Sequence, residues 1–258
     1  VGDLVWPFDK TKKDQPERKE PSLSAEDAAR EKRREIMRMT IDRQKATDPL
    51  VGAKVTGKDI VTNLMAAMKD QSGRVHVETI LTAVGALAGF ACQASVFAKC
   101  INEKSDVPVM VVEAKDGRKL LYGDALNAPL ASNKYSIWSL AAGAAQSLGA
   151  PLPDLHAMFA DCSAAIGTEK FGVPTYQGAA PAADLPINFL KALWPTYFPM
   201  FQKYGIDPDD WPIAVGLAAQ DIILQGKDVI DPTAAVRIVM ESAIPMSKIR
   251  TDELTREA

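Results

Sequence analysis

The chain has 258 residues, 47% hydrophobic and 24% charged, and its 30 basic and 33 acidic side chains give a net charge of -3. That length suits one large core, or a core with an appended arm, and the composition argues against both a disordered chain and a multi-span membrane protein. Near charge balance argues against a bulk pull toward nucleic acid or anionic lipid. The first 45 residues carry 12 basic and 10 acidic groups, net +2, leaving -5 for the remainder.

Cys92, Cys100 and Cys162 are odd in number, widely spaced and set among apolar neighbours, which predicts reduced thiols and a cytoplasmic location. Val1 to Asp14 contains Trp6 and Phe8 but no apolar run of signal-peptide length. Residues 1–23 are charged and punctuated by Pro16 and Pro21, and are expected to form a flexible arm. Residues 24–258 are expected to form a single helical domain with a β-hairpin at 108–122.

Ser24 with Asp27 resembles a capping box, and predicts a helix to about Lys45 with Ile36, Met37 and Met39 as its few apolar anchors. Its Lys32, Arg33, Arg34, Arg38, Arg43 and Lys45 are interleaved with Glu31, Glu35 and Asp42, the pattern of a solvated face more than of a nucleic-acid stripe. Thr56 and Asp59 suggest the start of a short helix carrying Ile60, Leu64 and Met68 at helical spacing.

Every residue from Thr79 to Ala98 is uncharged, with Glu78 and Lys99 at the ends that suit the helix dipole. Twenty uncharged residues meet the length test for a membrane span, and Gly85 and Gly89 have G-x-x-x-G spacing. Threonine, serine, glutamine and many small residues weaken that reading, and no aromatic or basic flank supports it. A buried central helix is expected instead, its glycines admitting a close neighbour. The small-residue surface Ala141, Ala142, Gly143, Ala144 and Ala145 is the expected partner.

Val109 to Ala114 is β-branched and apolar, Asp116-Gly117 is a two-residue hairpin signal, and Lys119 to Tyr122 supplies the returning strand. A lone hairpin is marginal, so it must lie on a helix or pair with other strands, a second copy of the chain included. Further helices are predicted at 136–148, 154–166, 187–204, 211–225 and 232–243. Glycines close three of them and Asp231-Pro232 starts the last. The fold class is therefore mainly α (α+β): a helical bundle-like domain of seven or eight helices around a central buried helix, with one β-hairpin.

No catalytic, metal or phosphate motif survives a spacing check, and no family resemblance is carried by these residues. His76-Val77-Glu78 matches half of the zinc deaminase signature, but the P-C-x-x-C half is missing. Asp207, Asp209 and Asp210 lack the glycine and distal glutamate of an EF-hand and suit turn and cap duty. His156 and Asp161 lie on different faces of one helix and form no local dyad. No cofactor and no metal are expected.

Phe189, Trp194, Tyr197, Phe198, Phe201 and Tyr204 fall within 16 residues, interrupted by Pro195 and Pro199 and preceded by the irregular segment 168–186. Three functional readings follow, the third being peripheral membrane or nucleic-acid association through residues 24–45 that would collapse with added salt. The first is an intracellular, non-enzymatic binding or interaction protein, a homodimer through the hairpin or the small-residue helices. The second is an enzyme or small-molecule binder whose pocket lies between 168–186 and 187–204, with His156, Tyr176, Gln177, Trp194 and Tyr197 as the ligand-binding candidates.

Overall fold

The computed structural model describes residues 25–176 and 180–250. The expectations for the arm at 1–23, for the Ser24 cap and for Gln177 fall outside those residues. Among the described residues there are eight helices of ten residues or more: α1 (Ala25–Gln44), α2 (Val51–Ala67), α3 (Val77–Glu103), α5 (Ile137–Ser147), α6 (Leu155–Ala164), α7 (Pro186–Tyr204), α8 (Trp211–Gln225) and α9 (Pro232–Met246). The single-turn α4 (Asp124–Asn127) runs into a π-helical turn at Ala128–Ser132. The sheet pairs β1 (Met110–Glu113) with β2 (Lys119–Tyr122) in antiparallel register.

Several ends follow from local chemistry. The Ser136 hydroxyl accepts from Ser139 N–H, Asp154 Oδ1 from Ala157 N–H and Asp231 Oδ1 from Ala234 N–H, each satisfying a donor that the helix leaves orphaned. Gly205, with φ 61°, closes α7 in the left-handed conformation. α2 starts at Val51, earlier than Thr56 suggests. Asp48 accepts the Leu50 N–H just ahead of the helix, and the Thr56 hydroxyl turns back to Gly52 O inside it.

α3 is central. Among the described residues it is the one helix long and apolar enough to cross a membrane, yet 94% of that window is buried by the protein itself. Its principal neighbours are α9, α8 and α7. The glycines act as expected, but the partner differs from the expectation. A Cβ on Gly85 would lie 2.6 Å from Val239 O and one on Gly89 2.0 Å from Ala243 O, both in α9. The alanine face of α5 packs instead on α8 and α9. Small-residue stripes are alike in sequence, so which two meet is decided by the helices' larger neighbours.

The aromatic residues of α7 form the base of the core. α7 stays helical through Pro195 and Pro199, which the sequence suggests would interrupt it. Trp194 meets Phe90 edge-on at 4.8 Å, and Phe201 stacks on Trp211 at 5.3 Å. One apolar cluster runs from Ile41 in α1 to Ile249 beyond α9. α1 adds little apolar contact, but Arg38 donates to Lys203 O and Gln202 O, so the guanidinium serves the carbonyl end of α7.

Gly89→Ala should lower the urea unfolding free energy by about 1–3 kcal/mol, because the new methyl must displace backbone. Gly143→Ala, where the nearest atom to the added Cβ is 3.9 Å away, should raise it by about 0.5–1 kcal/mol through helix propensity. Equal effects at the two positions would refute the close α3–α9 approach.

Candidate functional site

The hairpin is built from a β-branched strand, a turn and an apolar return. Sequence suggests a two-residue turn; the connection is the three-residue Lys115-Asp116-Gly117. Ala114 N–H donates to Arg118 O at 2.8 Å, and only Gly117 takes a positive φ, 80°. A two-residue type I′ turn would require Asp116 to adopt positive φ as well, and one left-handed glycine after a type I turn avoids that strain. Asp116 fastens the turn by accepting from the Arg118 backbone and guanidinium.

The two edges of the hairpin differ. β2 is covered on its outer side by the chain leaving α9: Leu121 N–H donates to Lys248 O at 2.7 Å, and Leu120 pairs with Ile249. That segment is clamped from α3 by fully buried Gln93, whose amide donates to Ser247 O at 3.2 Å and Ile249 O at 2.7 Å. Leu120 then enters the main core and Leu121 a satellite cluster with Phe97 and Leu126.

β1 has no such cover. The Ala114–Arg118 bond fixes the alternation, so the N–H and C=O groups of Val111 and Glu113 point away from β2. No further strand pairs with them among the described residues. Met110, Val111 and Val112 are 68%, 54% and 45% exposed. An open, apolar edge of this kind is competent to add a strand.

Among the described residues, the candidates Tyr176, Trp194, Tyr197 and His156 do not converge on one point beside 168–186. That segment is fastened onto α3 and α9. Thr79 Oγ1 accepts from Ala183 N–H at 3.0 Å, Tyr176 and Thr82 share a hydrogen bond of 3.0 Å, and Thr175 N–H donates to Glu241. Burial raises the Tyr176 and Glu241 pKa values above their usual ranges. Trp194 and Tyr197 lie in the aromatic core, where burial pushes the Tyr197 hydroxyl up to about 12. Trp194 meets α3 at Phe90 and Tyr176 meets it at Thr82, eight residues or about 12 Å along the axis. His156 is exposed on α6. Two cavities, of about 710 and 190 Å³, include none of these side chains.

His76 and Glu78, which stand out in the sequence, are joined in one polar chain by a hydroxyl that the sequence reading leaves out. His76 Nδ1 lies 2.7 Å from the Thr79 hydroxyl and Nε2 3.1 Å from Glu78. The order is that of a hydroxyl–imidazole–carboxylate relay, but Thr79 is buried and already accepts from Ala183, so the chain anchors the segment. The aspartates at 207–210 form a 3-10 turn before α8 without a side-chain cap, and Asp209 pairs with Lys99 at 2.9 Å. No group of three His, Cys, Asp or Glu poised to hold a metal occurs among the described residues. Comparison with known protein families, with characterised proteins and with solved structures gives no match.

Lys248, in the clamped segment, is 4% exposed, donates to Asn127 Oδ1 at 2.6 Å and lies 5.3 Å over the Tyr122 ring. Burial depresses its pKa below the ordinary 10.5. Between the depressed folded value and 10.5 the unfolded chain binds the extra proton, so stability should climb as pH rises through that window. Lys248→Met should remove this climb. A wild-type and a variant stability profile of equal slope in mildly alkaline buffer would contradict the burial of the ammonium.

Proposed function

We propose that the protein is a non-enzymatic, cytoplasmic interaction protein that associates through the open edge of β1, its partner being a second copy of the chain in antiparallel pairing. The observation that carries this reading is the exposed run Met110-Val111-Val112 with outward backbone groups at Val111 and Glu113. Edge strands are ordinarily blunted by a lysine, a proline or a bulge, and these three residues contain none of them.

Self-pairing is compatible with the charges. Hydrogen-bonded partners must both direct their backbone outward, which allows a two-fold axis at Val111. Glu113 then faces Val109 of the other copy, whose N–H already donates to Val107 O, so Glu113 N–H can donate to the Val109 carbonyl and no like charges oppose one another. The contact is small, which favours a weak, concentration-dependent dimer over an obligate one. The cytoplasmic assignment rests on three cysteines that are free, two of them buried. The alternative of a ligand pocket at 168–204 has less support, because Trp194 and Tyr197 are consumed by the core.

Light scattering across the micromolar range should show the mass rising toward twice that of the chain. Val111→Pro should hold it at one chain mass without lowering the melting midpoint appreciably, because the lost N–H points away from β2 and proline is tolerated on an open edge. A wild-type protein monomeric at high micromolar concentration would overturn the proposal.

A further inference from the structure

A cavity of about 710 Å³ lies where the C-terminal half of α3, the segment leading into β1, the π-helical turn and residues 208–213 converge. Its volume falls in the usual range for small-molecule sites. Val96, Pro129 and Ile213 contribute apolar wall, while Glu103, Asp106, Asp209 and Asp210 bring carboxylates from both sides.

The cations present do not match them. Lys99 is committed to Asp209 at 2.9 Å, and the Lys134 ammonium rests 5.0 Å from the Tyr135 ring centre. Glu103, Asp106 and Asp210 have no ion pair among the described residues. Asp210 is partly buried, and its pKa is raised by that burial and by neighbouring Asp207 and Asp209, with Lys45 opposing. The cavity wall also holds Ser95, a 4% exposed side chain of α3 whose hydroxyl has no hydrogen-bond partner among the described residues. The hydroxyl is reached from the cavity and not sealed within the protein, so it can accept from a donor that enters there.

We propose that this cavity binds a small aliphatic polyamine. Such a molecule presents ammonium donors at separated points along an apolar stem. Those donors suit carboxylates brought by two separate segments, 103–106 and 209–210, together with the Ser95 acceptor, and the methylenes suit Val96, Pro129 and Ile213. A bare divalent ion would need the carboxylates gathered at one point, whereas here they arrive from two directions. The inference is independent of the hairpin pairing.

The test is isothermal titration calorimetry of the full chain with spermidine at fixed ionic strength, repeated on the monomer-directed variant Val111→Pro. Saturable one-site binding is expected, weakened about tenfold or more in the double variant Asp106→Asn/Asp210→Asn. Ser95→Ala should weaken it several-fold, and Glu26→Gln, on α1, should leave it unchanged. Circular dichroism melts confirm that each variant is folded before titration. Absence of saturable heat, displacement by magnesium at equal ionic strength, or unaltered binding in the double variant would each overturn the proposal. So would tighter binding of a lysine-rich peptide, which would make the site a protein-docking surface.

Discussion

At Gly89 the backbone of α3 runs so close to the carbonyl of Ala243 that no side-chain carbon fits between them, and at Gly85 the same holds against Val239. Two helices approaching this closely exchange the usual interdigitated side chains for backbone-to-backbone dispersion contact. The approach leaves no space for an unsatisfied polar group. Ser242, which faces Gly85, meets that condition by donating its hydroxyl to Ile238 O within its own helix. The uncharged 79–98 stretch of α3 is then buried within the protein, since α9, α8 and α7 supply the apolar surroundings.

The position of the hairpin is a consequence of that contact. With α9 fixed against α3, the chain leaving α9 emerges within reach of Gln93, and the Gln93 amide holds the carbonyls of Ser247 and Ile249. Those residues then serve as a short third strand for β2. The clamp has a cost: Gln93 Oε1 is buried without a partner among the described residues, and Lys248 is drawn out of water beside Asn127 and Tyr122. β2 is thereby sealed on both faces and on its outer edge. β1 receives nothing equivalent, and the asymmetry between the two edges is what makes one of them available.

The central helix, the free thiols, three side-chain caps and the returning strand are legible in the sequence because each depends on local pattern: absence of charge, an aspartate or serine before a helix, alternation after a turn. The partner of Gly85 and Gly89 is not legible, since the alanines of α5 and those of α9 offer similar small surfaces and only the packing of larger side chains distinguishes them. The start of α2 is obscured for a related reason, because Thr56 reads as a cap and is instead a mid-helix hydroxyl bonded to Gly52 O.

The aromatic stretch illustrates the same limit for a site. Six rings near an irregular segment suit an aromatic core better than a pocket in one dimension, without deciding between them. The difference lies in what occupies the other side. Phe90 from α3 and Trp211 from α8 both pack on the rings of α7, and neither belongs to α7. Ser95 is hidden for the opposite reason: a serine inside a buried helix ordinarily bonds its own backbone, and only the convergence of four separate segments places this one in a cavity wall. The open edge of β1 and the cavity beside α3 are properties of the assembled fold that no spacing of residue types encodes.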